Sequence, residues 1–227
     1  MKKTLSYILA IVVCLATLCG CGDTPGGGQT TDGPRDSVML RNALGMQTTD
    51  PADTNETDVL TVNEQIYEGL YTLDESGGGY QPCLAKQVDI SDDATVYTIT
   101  LQDGVKFHNG ETLKASDVVF SYQHFMDNPK YNSYTDMIEK VEALDDSHVV
   151  ITIARPYSPI LHTFFKIKIL SEKEVTSQGS DFGTIANLAG TGPYYMDAET
   201  YRPNSGWTLY AFEDYWQGAP QIKKIGY

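Results

Sequence analysis

From residue 37 onward the chain is built from short segments of two kinds. Some carry apolar side chains at every second position, and others carry them at helical spacing. Val38-Met39-Leu40-Arg41-Asn42-Ala43-Leu44 predicts a first strand that ends in the turn-rich stretch from Gly45 to Pro51. Ile66, Tyr67 and Leu70 predict a helix over 63–71, and Gly77-Gly78-Gly79 predicts a loop. Alternation over 96–101, followed by Asp103-Gly104 and Val105-Lys106-Phe107, predicts a hairpin. Ser116 is placed to cap a helix whose inner face carries Val118, Val119, Tyr122, Phe125 and Met126, with Asp117 in the first turn. A second hairpin is expected at Asp145-Asp146-Ser147, joining 141–144 to 149–153. Ser158-Pro159 should start a helix through Leu161 and Phe164, followed by strands at 167–170, 194–196 and 207–212.

Strands and helices therefore mix without strict alternation or internal repeat. The fold class expected is mixed α/β, an α+β body in which one segment forms a subdomain.

The first residues break this pattern. Lys2 and Lys3 precede an almost unbroken apolar run over 5–18, too short to span a bilayer comfortably and laid out like a secretory leader. Leu18-Cys19-Gly20-Cys21 follows, and it resembles the cleavage box of bacterial lipoproteins. That resemblance implies a signal peptide over 1–20 and a lipid-bearing Cys21, hence an exported protein anchored to the membrane on its outer side. Residues 21–36, rich in Gly, Thr and Pro, read as a flexible tether. With Cys14 and Cys19 in the leader and Cys21 lipidated, Cys83 is left alone, so no intrachain disulfide is expected.

Among 227 residues, 41% are hydrophobic and 20% charged, proportions that support a buried core. The formal net charge of −14 argues against nucleic acid, whose phosphates require clustered Lys and Arg. Enzyme chemistry is not indicated either. The sequence has no G-x-S-x-G elbow, S-x-x-K, H-E-x-x-H or P-loop motif. Pro193 would remove a donor that a phosphate cradle at Gly190-x-Gly192 needs. His108, His124, His148 and His162 are too dispersed for a preformed metal site, so neither metal nor other cofactor is expected.

One ordered set of segments goes further. Asp50-Pro51, Gln65-Ile66-Tyr67-Glu68-Gly69-Leu70, Pro82-Cys83-Leu84-Ala85 and the stretch 97–111 come first. Ala115-Ser116-Asp117-Val118-Val119-Phe120-Ser121, Gly190-Thr191-Gly192-Pro193-Tyr194 and Tyr215-Trp216-Gln217-Gly218-Ala219-Pro220 complete it. In order and spacing these resemble the peptide/nickel family of extracellular solute-binding proteins, family 5, over about residues 37–227.

The resemblance implies a periplasmic-binding-protein-like fold of type II, in which two lobes close on a ligand by hinge motion. This chain would supply the first lobe, with an inserted subdomain at about 50–167. It implies capture of a small solute, most plausibly a di- or oligopeptide, for the permease subunits of an ABC importer. Peptide sensing or protein interaction without transport, and binding of a nickel chelate, remain the alternatives. Residues facing the cleft would include Met46, Gln47, Thr48 and Asn55, while nickel-binding members present an aromatic near the position of Tyr134 and a basic group near that of Lys166. Family members are about twice as long, so the second lobe would lie beyond Tyr227, and one lobe alone cannot enclose a ligand.

Overall fold

A computed structural model describes residues 36–40, 46, 48–54, 56–184, 188–197, 199–200 and 206–227. The predicted leader, Cys21, the tether up to residue 35, Gln47, Asn55 and the second half of the first predicted strand lie outside these residues.

The first sheet has the order β1-β10-β9-β8, from β1 (Ser37–Met39), β10 (Lys224–Gly226), β9 (Thr208–Ala211) and β8 (Tyr194–Met196). β1 runs parallel to β10, with Val38 opposite Ile225, and the other pairs are antiparallel. Helix α1 (Thr57–Ile66) packs on β8. Between them lies a core of Met46, Val59, Val62, Ile66, Met196, Trp207 and Leu209.

The second sheet is antiparallel, in the order β4-β5-β7-β6, from β4 (Ala85–Ile90), β5 (Val96–Leu101), β7 (His148–Ile153) and β6 (Ile138–Ala143). Alternation in β5 and β7 sends Tyr97, Ile99 and Leu101, and Val149, Ile151 and Ile153, to one buried face. Helix α2 (Ala115–Met126) covers β6 and β7, burying Val118, Tyr122 and Phe125. Each such side chain contributes about 1.5–3 kcal/mol of burial. A hairpin of β2 (Tyr71–Leu73) and β3 (Tyr80–Pro82) encloses the triple glycine. Short helices α3 (Asn132–Thr135), α4 (Ile160–Lys166) and α5 (Glu172–Gln178) complete the body.

Four expectations moved for identifiable reasons. The helix ends at Ile66, three residues after its predicted start, because Tyr67 is extended (φ −121°, ψ 142°) and the chain then crosses to the core of the second sheet at Leu70. The alternating strand β5 pairs with β4 and β7 and makes no hairpin with 105–107. That segment instead bridges Lys106 to Thr112 across a turn of its own. The α2 cap is Lys114, whose backbone N–H donates to Asp117 (2.9 Å), so Ser116 lies inside the helix. Residues 167–170 form no strand and carry only the isolated bridge Gly69 to Lys168, with Ile167 and Ile169 buried in the core of the second sheet.

Candidate functional site

The segments singled out in the sequence meet at one seam between the two cores. Tyr67 belongs to the core of the first sheet and Leu70 to that of the second, so Glu68-Gly69 crosses from one to the other. A side chain at Gly69 would begin 2.6 Å from the Phe164 carbonyl oxygen. Glycine there lets the backbone pass against α4. Gly190 and Gly192 press against the end of α1, and Gly192 N–H donates to Ile66 O (2.9 Å).

Glu68 is the polar centre of the seam. Its carboxylate accepts from Tyr215 Oη (2.7 Å), Trp216 Nε1 (3.0 Å) and Thr191 Oγ1 (2.8 Å), with Cys83 Sγ at 3.5 Å. Three separate motifs thus converge on one buried acid, which is what a satisfied buried charge requires. Burial raises its pKa, opposed by those donors. The same burial, with the Glu68 charge next, pushes the Cys83 thiol far up, so it stays a neutral packing group. Nearby, buried Lys168 donates to Glu64 (3.1 Å) and lies 4.4 Å from the Phe165 ring centre. Burial lowers its pKa and Glu64 opposes the shift. His108 is held neutral by burial, down to about 4, while its Nε2 donates to Gly192 O (2.9 Å). Every charge here is answered from within, as expected of a structural joint.

A second place is built differently. Tyr134 of α3 and Lys166, the last residue of α4, line a hollow of about 230 Å³ with Leu60, Lys130, Tyr131 and Ser133. The two helices are tied by Thr163 Oγ1 donating to Tyr134 O (3.1 Å), and the Tyr134 ring packs on His162 (5.4 Å). Lys130 is neutralised by Asp53 (2.5 Å). Lys166 has no ion-pair partner among the described residues and reaches only over Phe165, 5.6 Å from its centre. Burial and then the Lys166 charge lower the pKa of His162. This hollow therefore offers aromatic and aliphatic surface beside one uncommitted cation, a combination suited to an organic carboxylate.

Of the residues expected to face a ligand, the structure brings Tyr134 and Lys166 together. Met46 is fully buried in the core of the first sheet, where it packs and offers no surface to a solute. Thr48 is buried too, its hydroxyl accepting from Asp50 N–H (3.0 Å). Lys130, Tyr131, Ser133 and Leu60 were not anticipated. Asn128-Pro129 is a turn signal, but nothing in it announces that the following side chains reach back to the loop after β1. A larger open groove of about 800 Å³ runs between 107–117 and α5. Its cations are committed, Lys173 to Glu111 (2.5 Å) and Lys114 to Asp146 (3.0 Å), and it contains none of the expected residues.

Asp50 closes the loop by accepting from His124 Nε2 (3.0 Å) and from Ala52 N–H (2.8 Å). The bond to Asp50 raises the His124 pKa against burial, with Asp127 adding its charge and Phe120, Phe125 and Phe182 packed on the ring. A histidine whose pKa rises on folding stabilises the fold below its unfolded pKa near 6.5, and that gain disappears as pH climbs through the folded value. Denaturant titrations should accordingly show the stability difference between the native protein and His124→Gln shrinking from pH 6 to pH 8. A difference independent of pH would show that the pair carries no charge.

This architecture, an α/β lobe with two cores joined at a motif-lined seam, is that of periplasmic binding proteins. Among solved structures it superposes on MoaA of A. tumefacien R10 in complex with mannopinic acid, with a TM-score of 0.78 and 27% identity over 85% of this chain and 40% of that one. Listeria monocytogenes OppA bound to peptide gives 0.76 and 26%, over 86% and 42%. The family profile described as bacterial extracellular solute-binding proteins, family 5 Middle, matches residues 79–227, more than half of the chain. The chain belongs to this family. The glutathione-binding protein GsiB of Salmonella typhi is 33% identical over 196 residues, 83% of this chain. The chain spans 37% of that relative's length. No described helix is long and apolar enough to cross a membrane.

Proposed function

We propose that this chain forms the first lobe of an exported, lipid-anchored solute receptor that delivers a peptide-like ligand to the permease of an ABC importer. The observation that carries the reading is the hollow at Tyr134 and Lys166, where an unpaired ammonium sits beside an aromatic ring, near positions at which nickel-binding members of the family present such groups. Family membership supports receptor function rather than catalysis. Its relatives, a glutathione-binding protein and an OppA bound to peptide, support a small peptide carrying free carboxylates. Residues of about 50–167 then make up the subdomain inserted into this lobe, and Cys21 carries the lipid.

The test is calorimetric titration of the protein in its native length with di- and tripeptides, glutathione and their carboxyl-amidated forms. Free carboxylates should bind, and amidation or Lys166→Ala should each weaken binding about tenfold, equivalent to roughly 1.4 kcal/mol. The two changes together should cost no more than either alone. Silence across the whole panel would refute the peptide reading. Anchoring is checked separately, since Cys21→Ser should abolish incorporation of labelled fatty acid and release the protein from membranes.

A further inference from the structure

The loop that follows β1 owes its shape to side chains that lie far away in the sequence. From Thr49 to Asp53, each backbone carbonyl meets a donor. Thr49 O accepts from Tyr67 Oη (2.6 Å) and Asp50 O from Asp53 N (3.1 Å). Pro51 O accepts from Tyr131 Oη (2.8 Å), Ala52 O from Asn128 Nδ2 (2.8 Å) and Asp53 O from Lys130 Nζ (2.7 Å). Loop carbonyls ordinarily face water. Here Pro51, Ala52 and Thr54 are buried, so side-chain donors must take the place of water.

Three of those donors come from the four residues Asn128-Pro129-Lys130-Tyr131, and each is itself held. Asn128 Oδ1 accepts from Lys130 N–H (3.0 Å), which aims its amide nitrogen at Ala52. The Tyr131 ring stands edge-on to Phe125 at 4.7 Å, so its hydroxyl cannot swing away from Pro51. Lys130 is fixed by the Asp53 carboxylate as well as the carbonyl. Lys130 and Tyr131 themselves line the hollow, as do Ser133 and Tyr134 just beyond them. Loop and hollow wall are therefore joined as a single piece.

We propose that Asn128 and Tyr131, with Lys130, are positioning residues. They hold the loop at 49–54 in its ligand-competent shape and so set affinity through that loop, Asn128 from outside the hollow and Lys130 and Tyr131 from its wall. The proposal rests on the receptor reading above, in which that loop borders the cleft. Its physical basis is that a loop competent for only a fraction of the time weakens apparent affinity by that fraction.

Hydrogen–deuterium exchange and ligand titration on the native-length protein test it, using Tyr131→Phe and Asn128→Asp. Each variant keeps the shape and removes one donor. Amides of Ala52 and Asp53 should lose protection to the point where the loop is closed about a tenth of the time, and the dissociation constant for the peptide bound by the native protein should rise about tenfold. Amides of β5 and β7 should not change. Saturating ligand should restore loop protection. Lys166→Ala is the counter-control, raising the dissociation constant while leaving loop exchange untouched. Unchanged loop exchange, or faster exchange with unchanged affinity, would overturn the proposal. Failure of the native protein to bind any peptide would instead count against the receptor reading.

Discussion

Gly190→Ala is expected to cost the protein roughly 4 kcal/mol of stability. A β-carbon at that position would lie 2.1 Å from the Ile66 carbonyl oxygen and 2.9 Å from its carbon, both backbone atoms at the end of α1. A flexible side chain could swing aside, but a helix terminus cannot. Relief requires moving α1 off β8, and that movement would open the core containing Val62, Ile66 and Met196. It would also break the bonds from His108 N–H to Gly190 O and from Gly192 N–H to Ile66 O, each 2.9 Å. Overpacking alone costs about 1–3 kcal/mol and buried backbone groups left unpaired add to it, so a total loss of roughly 4 kcal/mol is expected. Gly218→Ala supplies a contrast. That residue has positive φ (99°) but nothing within 4 Å of a new β-carbon, so only local backbone strain of about 1 kcal/mol should result. Comparable urea midpoints for the two variants would show that the Gly190 contact is not as tight as the geometry requires.

Glu68→Ala should be the next most damaging change. It strips the acceptor from Tyr215, Trp216 and Thr191 at once and opens a void between the two cores. Leaving buried donors unpaired costs about 1–3 kcal/mol each, but the neighbouring hollow of about 330 Å³ can admit water to some of them. A net loss of roughly 3 kcal/mol follows, seen as a fall in Tm of about 6–12 °C. Glu68→Gln should cost far less, because hydroxyls of Tyr215 and Thr191 can turn to accept from the new amide. The pair of variants also reveals the charge. Since burial raises the Glu68 pKa in the fold, the native protein gains most below about pH 4.5, the carboxyl's ordinary value, and loses that gain as pH rises through the folded value. Its stability relative to Glu68→Gln should therefore decline as pH rises. The opposite slope would mean that the donors outweigh burial.

These two residues illustrate what could be read from the sequence and what could not. Alternation in 96–101 and 149–153 was visible because each strand has one buried face, and a period of two survives wherever that holds. The end of α1 was misplaced because Tyr67 and Leu70 keep a helical spacing while serving two different cores, and nothing local distinguishes a helix face from a crossing strand. The motifs themselves were legible, yet their convergence was not. Glu68 and Trp216 are 148 residues apart in sequence, and only the fold makes them partners. Tyr134 and Lys166 came from family resemblance, and the structure adds that Lys130, although just as basic, is spent on Asp53. Met46 illustrates the reverse. Its place after the first strand marked it as a contact, but an unbranched apolar side chain beside a core fills the core.

The claim on which the functional account rests is that ligand meets this chain at the wall formed by 130–134 and Lys166. Photocrosslinking with a benzophenone-bearing peptide that the native-length protein binds, followed by mass-spectrometric mapping, addresses it directly. The account predicts adducts on residues 130–134, on the segment containing Lys166 and on the loop at 49–54, all competed away by the unmodified peptide. Competable adducts confined to the groove between 107–117 and α5, or to the hollow beside Glu68, would contradict it.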